Sequence, residues 1–370
     1  MNYSRIEMFV NALQVASKSN IYIAGAGKYG QILGQYFDKY GISWEGYVDK
    51  NPKLQNVNRK PVYAYGETKD GYYVVSTFSF RKEIEEELKK REIRSEKIIT
   101  YDDQEIFYDI YDDLIDWKRY IKKTNVFYKQ HEKKKCFIIG NGPSLKIKDL
   151  EKLRKEVTFA SNTIYALYKN TDWRPTYYCA EDPVFCKHMM SDKDNMVMLA
   201  SGCKAVFTSI MGEGIQYRED TSINNLYFIR LFSKGLSKKF PDFSTDCSEK
   251  IYTSGTVTYT MLQLAAYMGF DQIYLLGMDF NYSVERHNDS TIMRNDVCNH
   301  MSEIEEEETR FYDAVTQAYG MPYVADVDLQ LAGYQKAKQY ADAHGIKIYN
   351  ATRGGKLEVF PRVDFDSLFD

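Results

Sequence analysis

Short apolar runs recur along this chain without the strict alternation of half-exposed strands, the pattern of a parallel sheet covered on both faces. The first run occupies residues 21–24 and is followed by Gly25-Ala26-Gly27-Lys28-Tyr29-Gly30 and a helical stretch over 31–40. Runs at 44–48, 72–76 and 97–100 repeat the pattern, the last two separated by a charged helix over 81–91. Residues 101–135, rich in Asp, Tyr and Lys, carry no strand signal and read as a helical connector ending in the solvated run Glu132-Lys133-Lys134-Lys135. The strand pattern then restarts at 136–139 and returns at 157–160, 176–180, 205–208, 226–230, 273–276 and 346–349. Between these lie helices over 146–155, from Thr256 onward with Val257, Met261, Leu264, Ala265 and Met268 on one face, and over 329–344 up to Gly345. Ser302-Glu303-Ile304-Glu305 reads as a capping box, and the acidic run 305–308 suits the positive end of a helix that Gly320 closes.

Composition narrows this α/β reading. The 370 residues exceed one ordinary core, and 44% hydrophobic with 27% charged residues argues against long disorder. Forty-nine basic against 52 acidic side chains leave a net charge of −3, which offers no field for a polyanion, so nucleic acid is not an expected partner. No run reaches the ~18 apolar residues of a membrane helix, and residues 1–20 lack a signal-peptide core. The expectation is a cytoplasmic protein, with work at the inner membrane face left open. Cys136, Cys179, Cys186, Cys203, Cys247 and Cys298 are scattered without a CxxC pair, as reduced structural thiols would be. The 32 tyrosines suit sugar-ring or base platforms but decide nothing alone.

The candidate chemistry lies in the turns. Gly25, Gly27 and Gly30 form G-x-G-x-x-G between a strand and a helix, and Asp49 closes the second strand where a dinucleotide site places its ribose-binding acid; plain strand–helix packing is the alternative. In the second half, Gly140-Asn141-Gly142-Pro143-Ser144-Leu145 follows a buried strand, with glycines for an unusual path, Pro143 for a first helical turn and the Ser144 hydroxyl beside amides. Such a loop grips a phosphate or ribose. Asn162 follows the next strand, at the edge where open α/β sheets bind ligands, as a base or ribose contact or an ordinary turn residue. Thr253-Ser254-Gly255 opens a helix as an anion site or a plain cap. Gly277-Met278-Asp279-Phe280 puts a carboxylate at a strand tip beside Asn281 and Tyr282, and Glu181-Asp182-Pro183 ends another strand. His131 and His344 have expected structural or dipole roles.

Two resemblances follow from these residues. The segment with the Gly25–Gly30 turn and Tyr47-Val48-Asp49-Lys50-Asn51-Pro52 resembles the small Rossmann-like domain attached to bacterial sugar acyltransferases and other surface-sugar enzymes. The order Ile139-Gly140-Asn141-Gly142-Pro143-Ser144-Leu145, Thr253-Ser254-Gly255, Gly277-Met278-Asp279-Phe280 and Asn350-Ala351-Thr352-Arg353-Gly354-Gly355-Lys356-Leu357 resembles one superfamily, over residues 135–365. It holds the 6-hydroxymethylpterin diphosphokinase MptE-like proteins, the motility accessory factors and, more distantly, the bacterial α-2,3-sialyltransferases. The fold expected is two Rossmann-like α/β/α domains, 1–125 with the connector and 130–370, the second resembling the GT-A-like sialyltransferase fold.

The resemblance implies a CMP-type nucleotide-sugar donor held by Gly140, Asn141, Gly142, Pro143, Ser144, Asn162, Thr253, Ser254 and Gly255. It implies His300 as the base, His287 being the weaker rival; Tyr282 is a candidate hydrogen-bond donor to the leaving phosphate, and Asp279 is a candidate catalytic residue or a capping or turn-stabilising acid. An imidazole with a pKa near ~6.5 can take a proton from an acceptor hydroxyl at neutral pH. The pattern loosens at Lys250, displaced by one residue from the family's Arg, and at Asn281, which separates Tyr282 from the Gly-x-Asp-Phe motif. The implied function is transfer of a sialic-acid-like or related sugar to a glycan or protein hydroxyl in bacterial surface-glycan synthesis, with no tightly bound cofactor. One alternative is an ATP- and magnesium-dependent diphosphokinase acting on 6-hydroxymethylpterin or a similar alcohol, its metal held by Asp182 or Asp279. The other is a non-catalytic nucleotide-binding scaffold. Peripheral membrane association and oligomerisation stay open.

Overall fold

The computed structural model describes residues 5–369 apart from 17, 52–53, 69, 78–80, 101–103, 234–240, 283, 288–289 and 294–324. The predicted capping box, its acidic helix and His300 lie outside the described residues. Contacts divide the chain into two units, Met1–Lys118 and the part beginning at Arg119.

In the first unit, β1 (Ile21–Ala24), β2 (Gly46–Asp49), β3 (Asn56–Val57), β4 (Lys60–Ala64), β5 (Tyr72–Val75) and β6 (Ile98–Ile99) form one sheet in the order β3-β4-β2-β1-β5-β6. It is parallel except for β3, which pairs antiparallel with β4. Helices α1 (Arg5–Ala16), α2 (Lys28–Lys39), α3 (Arg81–Lys90) and α4 (Gln104–Ile115) accompany it; α2 packs on β1 and α4, and α1 on α4. Ile21, Ile23, Leu33, Phe37, Tyr47, Val48 and Val74 are fully buried. A central strand covered on both faces has no polar side, hence the continuous apolar run. The strand expected at 97–100 shrinks to two residues because Ser95–Lys97 coils as a 3-10 helix. The β3–β4 pair escapes sequence reading because Pro61, which cannot donate to a ladder, sits inside β4.

The second unit begins within the short helix α5 (Trp117–Ile121). Its main sheet contains β7 (Lys135–Ile139), β8 (Thr158–Ser161), β9 (Tyr177–Ala180), β10 (Ala205–Ser209) and β11 (Leu226–Ile229), then β14 (Gln272–Leu276) and β17 (Lys347–Asn350). Between β11 and β14 lie β12 (Leu231–Phe232) and β13 (Ile251–Tyr252), a separate parallel pair; β15 (Val284–His287) and β16 (Ser290–Met293) form an antiparallel hairpin. The main sheet has the order β11-β10-β9-β8-β7-β14-β17 and is parallel throughout. The two-domain Rossmann-like α/β expectation is thus met in class.

Among the described residues five helices serve this sheet: α6 (Ile147–Lys152), α7 (Pro183–Met190), α8 (Lys193–Ala200), α9 (Val257–Tyr267) and α10 (Val327–His344). The helix expected over 146–155 stops at Lys152. Helices α7 and α8 were not expected, although each starts at an aspartate whose carboxylate accepts first-turn amides, Asp182 for α7 and Asp192 for α8. In α9 every residue but Val257 and Ala266 is buried, so the helix needs no polar face. With Tyr334, Ala337 and Ala341 of α10 it covers one face of the sheet over Ile138, Phe159, Tyr177, Cys179 and Phe207. Each large side chain withdrawn from water into this core adds about 1.5–3 kcal/mol. Asp326 caps α10 by accepting from the Leu329 amide, and Gly345, left-handed at φ 71°, ends it.

Candidate functional site

Strand β7 lies between β8 and β14, so the direction in which the chain builds the sheet reverses beside β7. Ligands in open α/β sheets bind at such a switch point, outside the carboxyl ends of the strands. Three loops meet there. The loop after β7 carries Gly140, Asn141, Gly142, Pro143 and Ser144; the one after β14 carries Gly277 to Asp279; the one after β17 runs through Thr352 and Lys356.

Backbone approaches backbone too closely for side chains. The Gly142 amide donates to the Gly277 carbonyl at 2.9 Å, and a Cβ on Gly142 would stand 2.0 Å from Asp279 Oδ2. A Cβ on Gly355, itself at φ 78°, would meet the Asp279 carbonyl oxygen at 2.6 Å. That oxygen accepts from the Lys356 amide at 2.7 Å, and the Thr352 hydroxyl accepts from the Met278 amide at 3.0 Å. The Asp279 carboxylate laces the first loop to the second: Oδ1 accepts from the Ser144 amide at 3.2 Å, and Oδ2 from the Ser144 hydroxyl at 2.8 Å. Burial pushes the Asp279 pKa up, against the pull of these hydrogen bonds. Pro143 is exposed at the loop's tip.

On the other flank of β7, Asn141 and Asn162 come together. Asn141 Nδ2 donates to the Thr163 hydroxyl at 3.1 Å, while its buried Oδ1 has no partner among the described residues. Asn162 follows β8 in a left-handed conformation (φ 49°), which Asn tolerates better than most residues, and its Oδ1 is likewise buried without a partner among the described residues. Its carbonyl is held by the Tyr178 hydroxyl at 2.6 Å. Two acceptors buried without donors are costly, and a ligand or water that donates to both would satisfy them.

The first turn of α9 reaches the same edge through Met278, whose sulfur accepts from the Thr258 hydroxyl at 3.5 Å and would stand 2.7 Å from a Cβ on Gly140. Thr256 caps α9 by accepting from the Thr258 amide, and Gly255 precedes it at φ 66°. Thr253 continues the small sheet, its amide donating to the Phe232 carbonyl at 2.8 Å. Ser254 is fully buried and its hydroxyl donates to the Leu329 carbonyl at 2.5 Å. The Tyr282 hydroxyl donates to Gln330 Oε1 at 3.2 Å, and burial keeps its pKa above the usual range.

Asp182 Oδ1 accepts from the Val184 and Phe185 amides at 2.8 and 3.0 Å; burial raises its pKa and these amides oppose the rise. Its neighbour Glu181, passed over as a site residue, accepts from the Thr260 hydroxyl on α9, and burial lifts its carboxyl from 4.5 to about 7. A hint was available: two residues past buried Cys179, Glu181 continues the apolar face of β9. Among the described residues no group of three His, Cys, Asp or Glu side chains is placed to hold a metal. His287 ends β15, and His131 lies at the opposite edge of the sheet, against Tyr177 at the start of β9. Burial and the charges of Lys204 and Lys134 lower the His131 pKa to about 4. His188 is exposed on α7.

In the first unit, Gly25 (φ 101°) and Gly27 form the turn before α2, Gly30 sits in the first turn of that helix, and Asp49 turns inward on the glycine turn. Asp49 Oδ2 accepts from the Ala26 amide at 2.7 Å and Oδ1 from the Asn51 amide at 2.9 Å. The Ser76 hydroxyl donates to the Ala24 carbonyl at 2.9 Å, and a Cβ on Gly30 would lie 1.9 Å from the Gly25 oxygen.

The second unit is therefore a doubly wound α/β domain with glycine loops and unsatisfied amide oxygens at its switch point. Residues 116–285 match the model of the family described as 6-hydroxymethylpterin diphosphokinase MptE-like, the superfamily to which the four motifs pointed. No curated protein matches the chain. Among solved structures, the MAf glycosyltransferase from Magnetospirillum magneticum AMB-1 is similar at 13% identity and a TM-score of 0.35, over 99% of this chain. The chain spans 63% of that protein's length. The sialyltransferase CstII from Campylobacter jejuni, in complex with cytidine-5'-monophosphate, is similar at 15% identity and a TM-score of 0.37, over 63% of this chain and 85% of that one. Its complex with CMP-3FNeuAc gives 14% identity and a TM-score of 0.37, over 62% and 86%. Among the described residues no helix is long and apolar enough to cross a membrane.

Proposed function

We propose that the second unit binds the nucleotide of a CMP-type sugar donor and transfers its sialic-acid-like or related sugar to a hydroxyl of a glycan or protein acceptor. The observation that carries this reading is the pair of buried oxygens without a partner among the described residues, Asn141 Oδ1 and Asn162 Oδ1, on neighbouring strand tips. They ask for hydrogen-bond donors, which a cytosine amine or ribose hydroxyls provide. In the transfer, the acceptor oxygen forms a bond to the anomeric carbon as the bond to the phosphate oxygen breaks, and the phosphate leaves with the electron pair. The acceptor proton goes to a base, for which the motif resemblance implies His300. The first turn of α9, with Gly255 ahead of it, offers amides and a positive helix end to the departing phosphate.

The diphosphokinase alternative is less well supported by the donor set. Asp279 gives both carboxylate oxygens to Ser144 and Asp182 gives Oδ1 to two α7 amides, so each side chain already holds a turn.

Thermal unfolding with CMP, UDP and ATP, each with and without magnesium, tests the reading. CMP is expected to raise the transition without magnesium, because a ligand bound only to the folded state adds stability by mass action. Stabilisation by ATP alone, dependent on magnesium, would overturn it. Turnover of a CMP-sugar with an acceptor then separates an enzyme from a binding scaffold.

A further inference from the structure

Helix α10 holds the α9 turn from behind. Ser254 Oγ donates to the Leu329 carbonyl at 2.5 Å. Gln330, 4% exposed, uses both ends of its amide: Nε2 donates to the Gly255 carbonyl at 3.0 Å, and Oε1 accepts from the Tyr282 hydroxyl at 3.2 Å. One turn on, Gly333 faces Ser254, and a Cβ there would lie 2.5 Å from Ser254 Oγ. Glycine weakens a helix interior, so its presence within the 18 residues of α10 marks a close approach that the turn requires.

We infer that Gln330 is a positioning residue: its amide fixes the Gly255 carbonyl and the Tyr282 ring in one geometry, and so sets the aim of the α9 first turn toward the nucleotide phosphate. Only a side chain with a donor and an acceptor on one planar head serves both partners. Methionine, of similar length, serves neither. A glutamate serves both only when protonated, its hydroxyl donating to Gly255 and its carbonyl accepting from Tyr282. Ionised, it faces the Gly255 carbonyl with a second acceptor, and the turn loses its hold. The amide has no such dependence.

The binding part of the test rests on the nucleotide reading above; the exchange part does not. Hydrogen exchange is measured on peptides covering residues 252–258 in wild type, Gln330→Met and the exposed-face control Asp342→Ala. Gln330→Met is expected to speed exchange in this turn and the control to leave it unchanged; equal protection in Gln330→Met would overturn the inference. With CMP as the probe, Gln330→Met is expected to bind about tenfold more weakly, the worth of a lost buried hydrogen bond. Gln330→Glu is expected to bind nearly as wild type at low pH and to weaken as pH rises, while wild type and Gln330→Met keep a constant ratio. A merely structural Gln330 would lower the unfolding temperature without giving Gln330→Glu a pH limb of its own, and that result would overturn the positioning role. If wild type binds no CMP, the nucleotide reading falls, and the exchange result alone decides the clamp.

Discussion

The two units hold the same device at the same place: a glycine turn after the first strand of a parallel sheet, with a carboxylate from a neighbouring strand tip turned onto its backbone. Asp49 takes the Ala26 amide, and Asp279 takes the amide and hydroxyl of Ser144. What differs is the remainder. Around the first turn, the Ser76 hydroxyl and the Gly30 approach tie the main chain to itself. Around the second, Asn141 and Asn162 keep buried oxygens without donors among the described residues. Glycine spacing therefore reports a tight turn in both units, and the unsatisfied acceptors are what single out the second as a ligand candidate.

The largest expected effect tests the glycines. Gly142→Ala would drive a Cβ to 2.0 Å from the Asp279 carboxylate and is expected to cost about 3 kcal/mol or more and to abolish the CMP-induced rise in unfolding temperature. Gly30→Ala, whose Cβ would sit 1.9 Å from the Gly25 oxygen, is expected to destabilise the first unit comparably yet leave that rise intact. Gly27→Ala meets nothing within 4 Å and is the silent control. A preserved CMP response in Gly142→Ala would break the comparison.

The second effect isolates the amides. Asn162→Gly keeps the left-handed backbone at φ 49° and removes only the side chain. Titration calorimetry is expected to show CMP binding about tenfold weaker, near 1.4 kcal/mol, with stability little changed. Asp49→Asn is expected to bind CMP as wild type does; a matching loss there would give the first turn a share in the ligand.

The smallest effect is a pH dependence. The Glu181 carboxyl, pushed from 4.5 to about 7, holds its proton more tightly in the fold than in the open chain. Its contribution is therefore fully present below 4.5 and is lost as pH rises through about 7. Relative to wild type, Glu181→Gln is expected to gain about 1 kcal/mol between pH 5 and pH 8, less than the full shift would give because the side chain is only half-buried. Denaturant unfolding at the two pH values measures it; a pH-independent difference would place the carboxyl in water.

Much of this arrangement was legible in one dimension. The strands through the middle of each sheet are short apolar runs because both their faces are covered, and the turns after β7 and β14 announce themselves by glycine. Edge and accessory elements were not: β12 and β13 are two residues each, and α7 follows its strand after only Glu181 and Asp182. Nor could composition reveal that the acid after β14 would close the loop after β7, 135 residues earlier, or that Gln330 would reach Gly255 across 75 residues. Those contacts depend on which strand ends become neighbours, a property of the sheet order and not of local pattern.

The Asp279–Ser144 tie has a thermodynamic consequence. A loop already stitched to its neighbour by the Asp279 carboxylate and the Gly277 carbonyl has surrendered its wandering during folding, so an arriving nucleotide does not have to freeze it again. Association at this edge should thus resemble a key entering a cut lock, with the entropy debt settled when the chain first folded.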